Sequence, residues 1–223
     1  MNIQRVKLYH FPLSRSARVK WLLHELLGDD FDVETVALFE GQQYQPPYLE
    51  RNPNHAVPVL AITQADGSVF TMIESGAMIA LLADCFPDQK LAPPAETFSS
   101  ARADYLQMLH FGASWMDMML WQLRLQRDLL PEQERDQRTI ARYLDKFAAE
   151  VEPQLTARLE RSDFICGKQF TAADCVIGHN VMWARMYDLC GGAPFSRYLR
   201  TLEKRPAHQA AFADCSQFIA RRD

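Results

Sequence analysis

"NPNHAVPVLAITQADGSVFTMIESGAMIALLAD", residues 52–84, decides the fold. AVPVLAI (56–62) is an apolar, β-branched run, as is SVFTM (68–72), and each reads as a strand. QADGS between them supplies turn-forming residues, so the pair is expected to form a hairpin. ESGAMIALLADCF (74–86) then carries apolar residues at helical spacing. Proline cannot donate to a strand ladder and belongs at a strand's first residue or edge, which suits Pro58. If the bond before Pro58 is cis, the Val57 backbone turns outward, its N–H and C=O free to pair with a peptide-like ligand. An ordinary edge-strand proline accounts for this stretch equally well.

Working outward from the hairpin, RVKLYH (5–10) reads as a strand and FDVETVAL (31–38) alternates like another. Apolar spacing predicts a helix from Ser14 to Leu27, with Gly28 where a stop is expected. GQQYQPPYLERNPN (41–54) is expected to be a loop with one short helix around Pro47 to Arg51. The order β-α-β-(α)-β-β-α is that of a small α/β sandwich rather than an open doubly wound sheet. PDQKLAPPAE (87–96) holds three prolines and no periodicity, and so reads as a linker. Beyond it the pattern is helical: about 98–128, about 132–161 with Pro131 suited to a helix start, 170–189, 194–204 and 206–220. The expected organisation is an α/β domain over 1–86, a linker over 87–97 and an all-α domain over 98–223.

Composition sets the class. The chain has 223 residues, 48% hydrophobic and 23% charged, ample for a core. A net charge of -4 and a pI near 5.9 give no electrostatic reason to expect nucleic acid. Five cysteines form an odd set with no CxxC and no zinc-like spacing, as in a reduced, cytoplasmic chain without a metal site. The N-terminus is polar and reaches a strand within a few residues, so no signal peptide is expected. No apolar run approaches the length of a membrane span.

Two further stretches can carry chemistry. Glu74 and Ser75 stand where a strand gives way to a helix, so the free N–H groups of the first turn and the Ser75 hydroxyl would hold a carboxylate. Glu74 beside them would attract an ammonium. A ligand bearing both, an α-amino acid group, fits this pair, although simple helix capping also explains it. In YHFPLSRSARVKWLLHELLG (9–28), Ser14 at the predicted helix start could donate to an anion that the helix N-terminus stabilises, or could be an ordinary N-cap.

Taken together, NPNHAVPVL (52–60), FTMIESGAMIALLAD (70–84) and GKQFTAADCVIG (167–178) resemble the cytosolic glutathione transferases over essentially the whole chain. The last segment resembles the family's buried folding motif and reads as a capping box between Thr171 and Asp174. The resemblance implies a thioredoxin-like N-terminal domain followed by an all-α C-terminal domain. It also implies glutathione as co-substrate and a homodimer pairing the α/β domain of one subunit with the helical domain of the other. Val57 beside a cis Pro58 would pair with the cysteinyl backbone of glutathione. Glu74 and Ser75 would hold its γ-glutamyl end, and Gln43 would reach its glycine carboxylate. Many members carry a lysine just before the valine; here that position is Ala56, with His55 as a partial substitute.

The chemistry implied is thiolate formation. A free thiol has a pKa of about 8.5, and lowering it two units needs roughly 2.7 kcal/mol. One hydrogen bond to a charged group contributes about 1.5–3 kcal/mol, so a single hydroxyl is sufficient. Alignment through LSRSARVKWLLHE selects Ser14, as in serine-type members; alignment through KWLLHELLG brings Tyr9 near the active position, and Ser16 is a third option. His10 is not expected to act as a base, because the thiolate needs a donor. The first cysteine is Cys85, so exchange through a protein thiol is not expected either. The Met- and Trp-rich FGASWMDMMLWQLRL (111–125) suggests an adaptable pocket for a hydrophobic electrophile, with His110 and Trp115 beside it. The expected activity is glutathione transfer to that electrophile. The alternatives are a non-catalytic binding or regulatory protein of the same fold, or a glutathione-dependent isomerase, dehalogenase or peroxidase.

Overall fold

In the computed structural model, residues 3–215 are described. Strand β1 (Ile3–His10) leads through a loop into helix α1 (Ser16–Leu27), and β2 (Asp32–Thr35) follows. After the short helix α2 (Pro46–Leu49) come β3 (Val59–Gln64), β4 (Val69–Met72) and α3 (Ser75–Cys85). Among the described residues the sheet has the order β2-β1-β3-β4. β2 runs parallel to β1, and β3 and β4 are each antiparallel to their inner neighbours. The β3–β4 hairpin turns at Gly67, whose φ of +83° is the left-handed conformation that favours glycine. This is the mixed sheet with flanking helices of a thioredoxin-like domain.

Strand alternation divides the sheet into two faces. Val6, Leu8 and His10 share one face of β1, with Leu60 opposite Leu8 and Ile62 opposite Val6. α1 and α3 add Val19, Leu22, Leu23, Met78, Ile79 and Leu82 to the buried core, each fully buried. Burying one such side chain contributes about 1.5–3 kcal/mol before entropy is counted. On the other face Tyr9 lies opposite Val59, and these join Phe11, Val36, Tyr48 and Val57 in a second buried cluster.

From residue 98 on, the described chain is helical. α4 (Ser100–His110) and α5 (Asp117–Arg124) belong to one helical run that widens into π-helical turns at Phe111–Met116 and Leu125–Leu129. Next come α6 (Gln137–Glu150), α7 (Glu152–Leu159), α8 (Ala172–Arg185) and α9 (Ala193–Glu203). The expected helix over 132–161 is corrected at two points. Pro131 precedes only a 3-10 turn, Glu132–Glu134, and α6 starts where the Asp136 side chain accepts from the Arg138 N–H at 3.0 Å. The helix is then divided at Val151, because Pro153 enters the first turn of α7 without an N–H to continue the ladder. At α8 the capping box forms, and the fully buried Asp174 carboxylate also accepts from Ile165 N–H at 2.9 Å and Tyr198 O–H at 2.8 Å. Gly112 lets its turn approach α8: a Cβ there would lie 2.7 Å from Ile177 Cδ1.

The helix expected over 206–220 is corrected as well: α10 (Pro206–Phe212) ends in a turn at Ala213 and Asp214, and 216–220 lies outside the described residues. Compactness divides the chain otherwise than the strand-to-helix boundary does. One unit runs to Lys90 and takes in the chain again from Lys204; the other is Leu91–Glu203. In the first unit α10 packs on α1: the Trp21 ring meets His208 edge-on at 4.7 Å, and Arg205 forms a two-pronged ion pair with Glu25. No helix among the described residues is long and apolar enough to cross a membrane.

Candidate functional site

Topology gathers the sequence-predicted residues of the first unit at one end of the sheet. β1 ends at His10, and its Tyr9 lies opposite Val59, the first residue of β3. Leu60 lies opposite Met72, the last residue of β4. The loop after β1, the turn before β3 and the start of α3 after β4 therefore meet at the same edge. Phe11 and Val57 pack in one cluster, with Ile73 against it. The chain leaving β2 joins them there, since Val36 N–H donates to the His10 carbonyl at 2.8 Å.

Helix α1 begins at Ser16 rather than Ser14, so Ser14 lies in the loop. Its Oγ donates to the Phe11 carbonyl at 2.7 Å and lies 2.7 Å from Ser16 Oγ; it also accepts from the Ser16 N–H at 3.2 Å. Ser14 is partly exposed and Ser16 fully buried. Ser16 Oγ in turn lies 2.7 Å from His10 Nδ1 and accepts from the Phe11 N–H at 3.0 Å. His10 Nε2 is 3.1 Å from Asp214 Oδ2, which also accepts from Lys20 Nζ at 2.7 Å. Burial alone would raise the Asp214 carboxyl, but hydrogen bonds from His10 and Lys20 outweigh it and hold the pKa down at about 2. Asp214 is thus ionised near neutrality and accepts the His10 Nε2–H. Burial lowers His10 below its usual value, with Asp214 opposing, so the ring is neutral at pH 7 and Nδ1 is an acceptor.

Tyr9 is only 7% exposed and sits in the buried cluster, edge-on to Tyr48 at 6.2 Å. Distance from Cys85 proves no guide to thiols near the loop, for the returning chain brings Cys215 there. Burial pushes that thiol up to about 11, with a hydrogen bond from the Leu13 backbone opposing, so it stays protonated.

The Val57–Pro58 peptide bond is cis. The turn before it is held by Asn52, 3% exposed, whose Nδ2 donates to the Ala56 carbonyl at 2.7 Å. Asn52 Oδ1 accepts from Asn54 N–H at 3.0 Å, and Tyr48 O–H gives the Ala56 carbonyl a second bond at 2.7 Å. Among the described residues, the Val57 backbone makes no hydrogen bond. His55 is exposed, its ring 5.0 Å from that of Tyr44. Gln43 is buried, and its Oε1 has no hydrogen-bond partner among the described residues. At α3, Glu74 is exposed and Ser75 buried, both at the helix start.

Leu13 (φ +58°), His55 (φ +44°) and Glu74 (φ +77°) are three of the six non-glycine residues with positive φ among those described. Each stands one or two residues before a predicted contact: Ser14, Val57 or Ser75. Left-handed backbone costs about 1–2 kcal/mol at such residues and collects where a surrounding structure holds it for a purpose.

His110 and Trp115 belong to the second unit, at its first π-helical turn. Both are exposed, and Lys146 Nζ lies 4.8 Å from the Trp115 ring centre. Among the described residues no group of three or more His, Cys, Asp or Glu is arranged to hold a metal ion. Sequence reasoning missed Asn52, Lys20 and Asp214, and dismissed His10. One signal was legible: His10 takes the third place in the buried register of Val6 and Leu8, where a polar side chain needs a buried partner.

Residues 8–90 match the family model described as glutathione S-transferase, N-terminal domain. Glutathione S-transferase D7 of Anopheles gambiae is 30% identical over 104 residues, 47% of this chain and 44% of that protein, so the chain spans less than half of that relative's length. Glutathione S-transferase GstA of Escherichia coli O157:H7 is 27% identical over 214 residues, 93% of this chain and 98% of that protein. Among solved structures, a glutathione transferase family member from Pseudomonas fluorescens pf-5, with two glutathione bound, has the same fold. Its TM-score is 0.81 at 22% identity, covering 94% of this chain and 92% of that one.

Proposed function

We propose that the chain is a glutathione transferase, one that binds glutathione at this sheet end and transfers it to a hydrophobic electrophile. Val57 N–H and C=O pair with the cysteinyl backbone of the tripeptide, as one strand adds to another. Glu74 takes the γ-glutamyl ammonium, while Ser75 and the first turn of α3 take its carboxylate. Gln43 and His55 attend the glycine end, where Ala56 offers no charge. Ser14 donates its hydroxyl to the sulfur and stabilises the thiolate. The thiolate pair then attacks the electrophilic carbon; an S–C bond forms and the leaving group departs with its electrons. The protein acts as a homodimer.

The observation that carries this reading is the meeting of three strained segments, before Ser14, Val57 and Ser75, at one sheet edge. A likeness in fold alone would not suffice, because folds host many functions. The test is retention on glutathione-agarose, together with the ultraviolet absorbance of thiolate in the complex near neutral pH. Retention with a thiolate signal is the expected result; no retention and no signal overturn the proposal.

A further inference from the structure

We propose that His10 is the proton acceptor for the bound thiol, reached through Ser14 and Ser16 as a relay of two hydroxyls and backed by Asp214. This rests on the glutathione reading above. The links are short and continuous: Ser14 Oγ to Ser16 Oγ 2.7 Å, Ser16 Oγ to His10 Nδ1 2.7 Å, and His10 Nε2 to Asp214 Oδ2 3.1 Å. The chain starts at a partly exposed hydroxyl and ends on a ring that is fully buried. No route through solvent is needed to reach the base.

The hydrogens can be assigned by counting. Asp214 accepts only, so His10 carries its proton on Nε2 and offers a lone pair at Nδ1. Ser16 fills that lone pair with its O–H, since Nδ1 at 2.7 Å is a nearer acceptor than the Phe11 carbonyl at 3.1 Å. One lone pair of Ser16 Oγ takes the Phe11 N–H, which leaves the other for the Ser14 O–H once that proton swings from the Phe11 carbonyl, an equally near acceptor at 2.7 Å. Ser14 keeps a lone pair for a ligand. When a thiol donates there, its S–H bond breaks and an O–H bond forms on Ser14. The former Ser14 proton passes to Ser16, and the former Ser16 proton passes to His10 Nδ1. The products are a thiolate and an imidazolium, no proton having left the protein, because the new negative charge on sulfur favours the imidazolium that burial disfavours in the free chain. Every hydroxyl is now reversed, so Ser14 O–H points at the sulfur and donates to the charge it has just helped create. The charged groups facing His10 are Asp214, which favours the imidazolium, and Lys20, which opposes it and is itself bonded to Asp214.

His10 acts through the serines and does not touch the substrate, so the test counts protons. Reduced glutathione is mixed with the full chain in weak buffer at neutral pH, and thiolate absorbance and proton release are recorded together. Binding of S-methylglutathione, which has no thiol proton, is subtracted. The wild type is expected to form thiolate with close to no net release, whereas H10N should release about one proton per thiolate formed. S16A, which cuts the relay and leaves His10 and Asp214 in place, should behave like H10N; if either variant fails to fold, the wild-type count decides alone. A wild type that releases its proton to solvent, or that binds glutathione without a thiolate, overturns the relay while leaving the glutathione site standing. Failure to bind glutathione at all overturns the functional reading and the relay with it.

Discussion

Replacing Ser14 by alanine should raise the pKa of the bound glutathione thiol by about one unit. The size follows from what Ser14 already does. Its hydroxyl donates to the Phe11 carbonyl at 2.7 Å, and it must give up that bond to point at sulfur. A hydrogen bond to a charged group is worth about 1.5–3 kcal/mol and a neutral one about 0.5–1.5, so the exchange gains roughly 1–1.5 kcal/mol. At 1.36 kcal/mol per unit that is about one pKa unit, short of the two a lone free hydroxyl would supply. The assay is a titration of thiolate absorbance in the glutathione complex from roughly pH 5 to 9. S14T, which keeps a hydroxyl, should restore most of the shift. Y9F should leave the curve in place, because Tyr9 sits in the buried cluster beside Tyr48 and Val57 rather than in the loop. An unchanged titration in S14A with a raised one in Y9F would refute the reasoning and give the role to Tyr9.

Asn52→Ala removes two hydrogen bonds at a buried position and should cost about 2 kcal/mol by urea unfolding, while weakening glutathione retention and leaving the thiol pKa of the residual complex unchanged. Asp214 gives an acid dependence: its folded pKa of about 2 is below the unfolded 3.8, so its stabilisation is complete above about pH 4 and lost as pH falls toward 2. Discounted for its partial exposure, that loss should be about 1 kcal/mol, present in the wild type and absent in D214N when unfolding is compared across that range. Gly112→Ala should lower the urea midpoint by the equivalent of about 1–3 kcal/mol with unchanged m, since its Cβ would meet Ile177 and Val176.

What the sequence made legible was local. Proline at the mouth of an apolar run, turn residues in QADGS and a Thr–Asp pair ahead of α8 each act within a few residues, and each fell where expected. The start of α6 did not, because two local signals competed and the Asp136 cap prevailed over Pro131. The site was legible only as far as its three segments. Asn52 looked like one more polar loop residue, and its role depends on the Ala56 carbonyl being turned toward it. Asp214 stands 204 residues from His10, and no pattern within the chain announces that pairing. It arises because α10 returns to pack on α1 through Trp21, His208 and the Arg205–Glu25 pair.

That return also explains why the first unit can hold its strained edge. Left-handed backbone at Leu13, His55 and Glu74 together costs about 3–6 kcal/mol, a large share of a typical stability of about 5–15 kcal/mol. Each strained residue has its own restraint. Asn52 and Tyr48 fix the chain after His55 through the Ala56 carbonyl. Met78 N–H takes the Glu74 carbonyl at 3.0 Å and locks it into the first turn of α3. The loop at Leu13 is bridged by Phe11, whose carbonyl and N–H engage Ser14 and Ser16, and Ser16 is anchored in turn by His10, Asp214 and Lys20. The polar chain behind Ser14 thus has a mechanical part as well as a chemical one. It holds a hydroxyl at a position the backbone would otherwise relax away from, which gives the fold a reason to bury a histidine and to tie its far end back to the first helix.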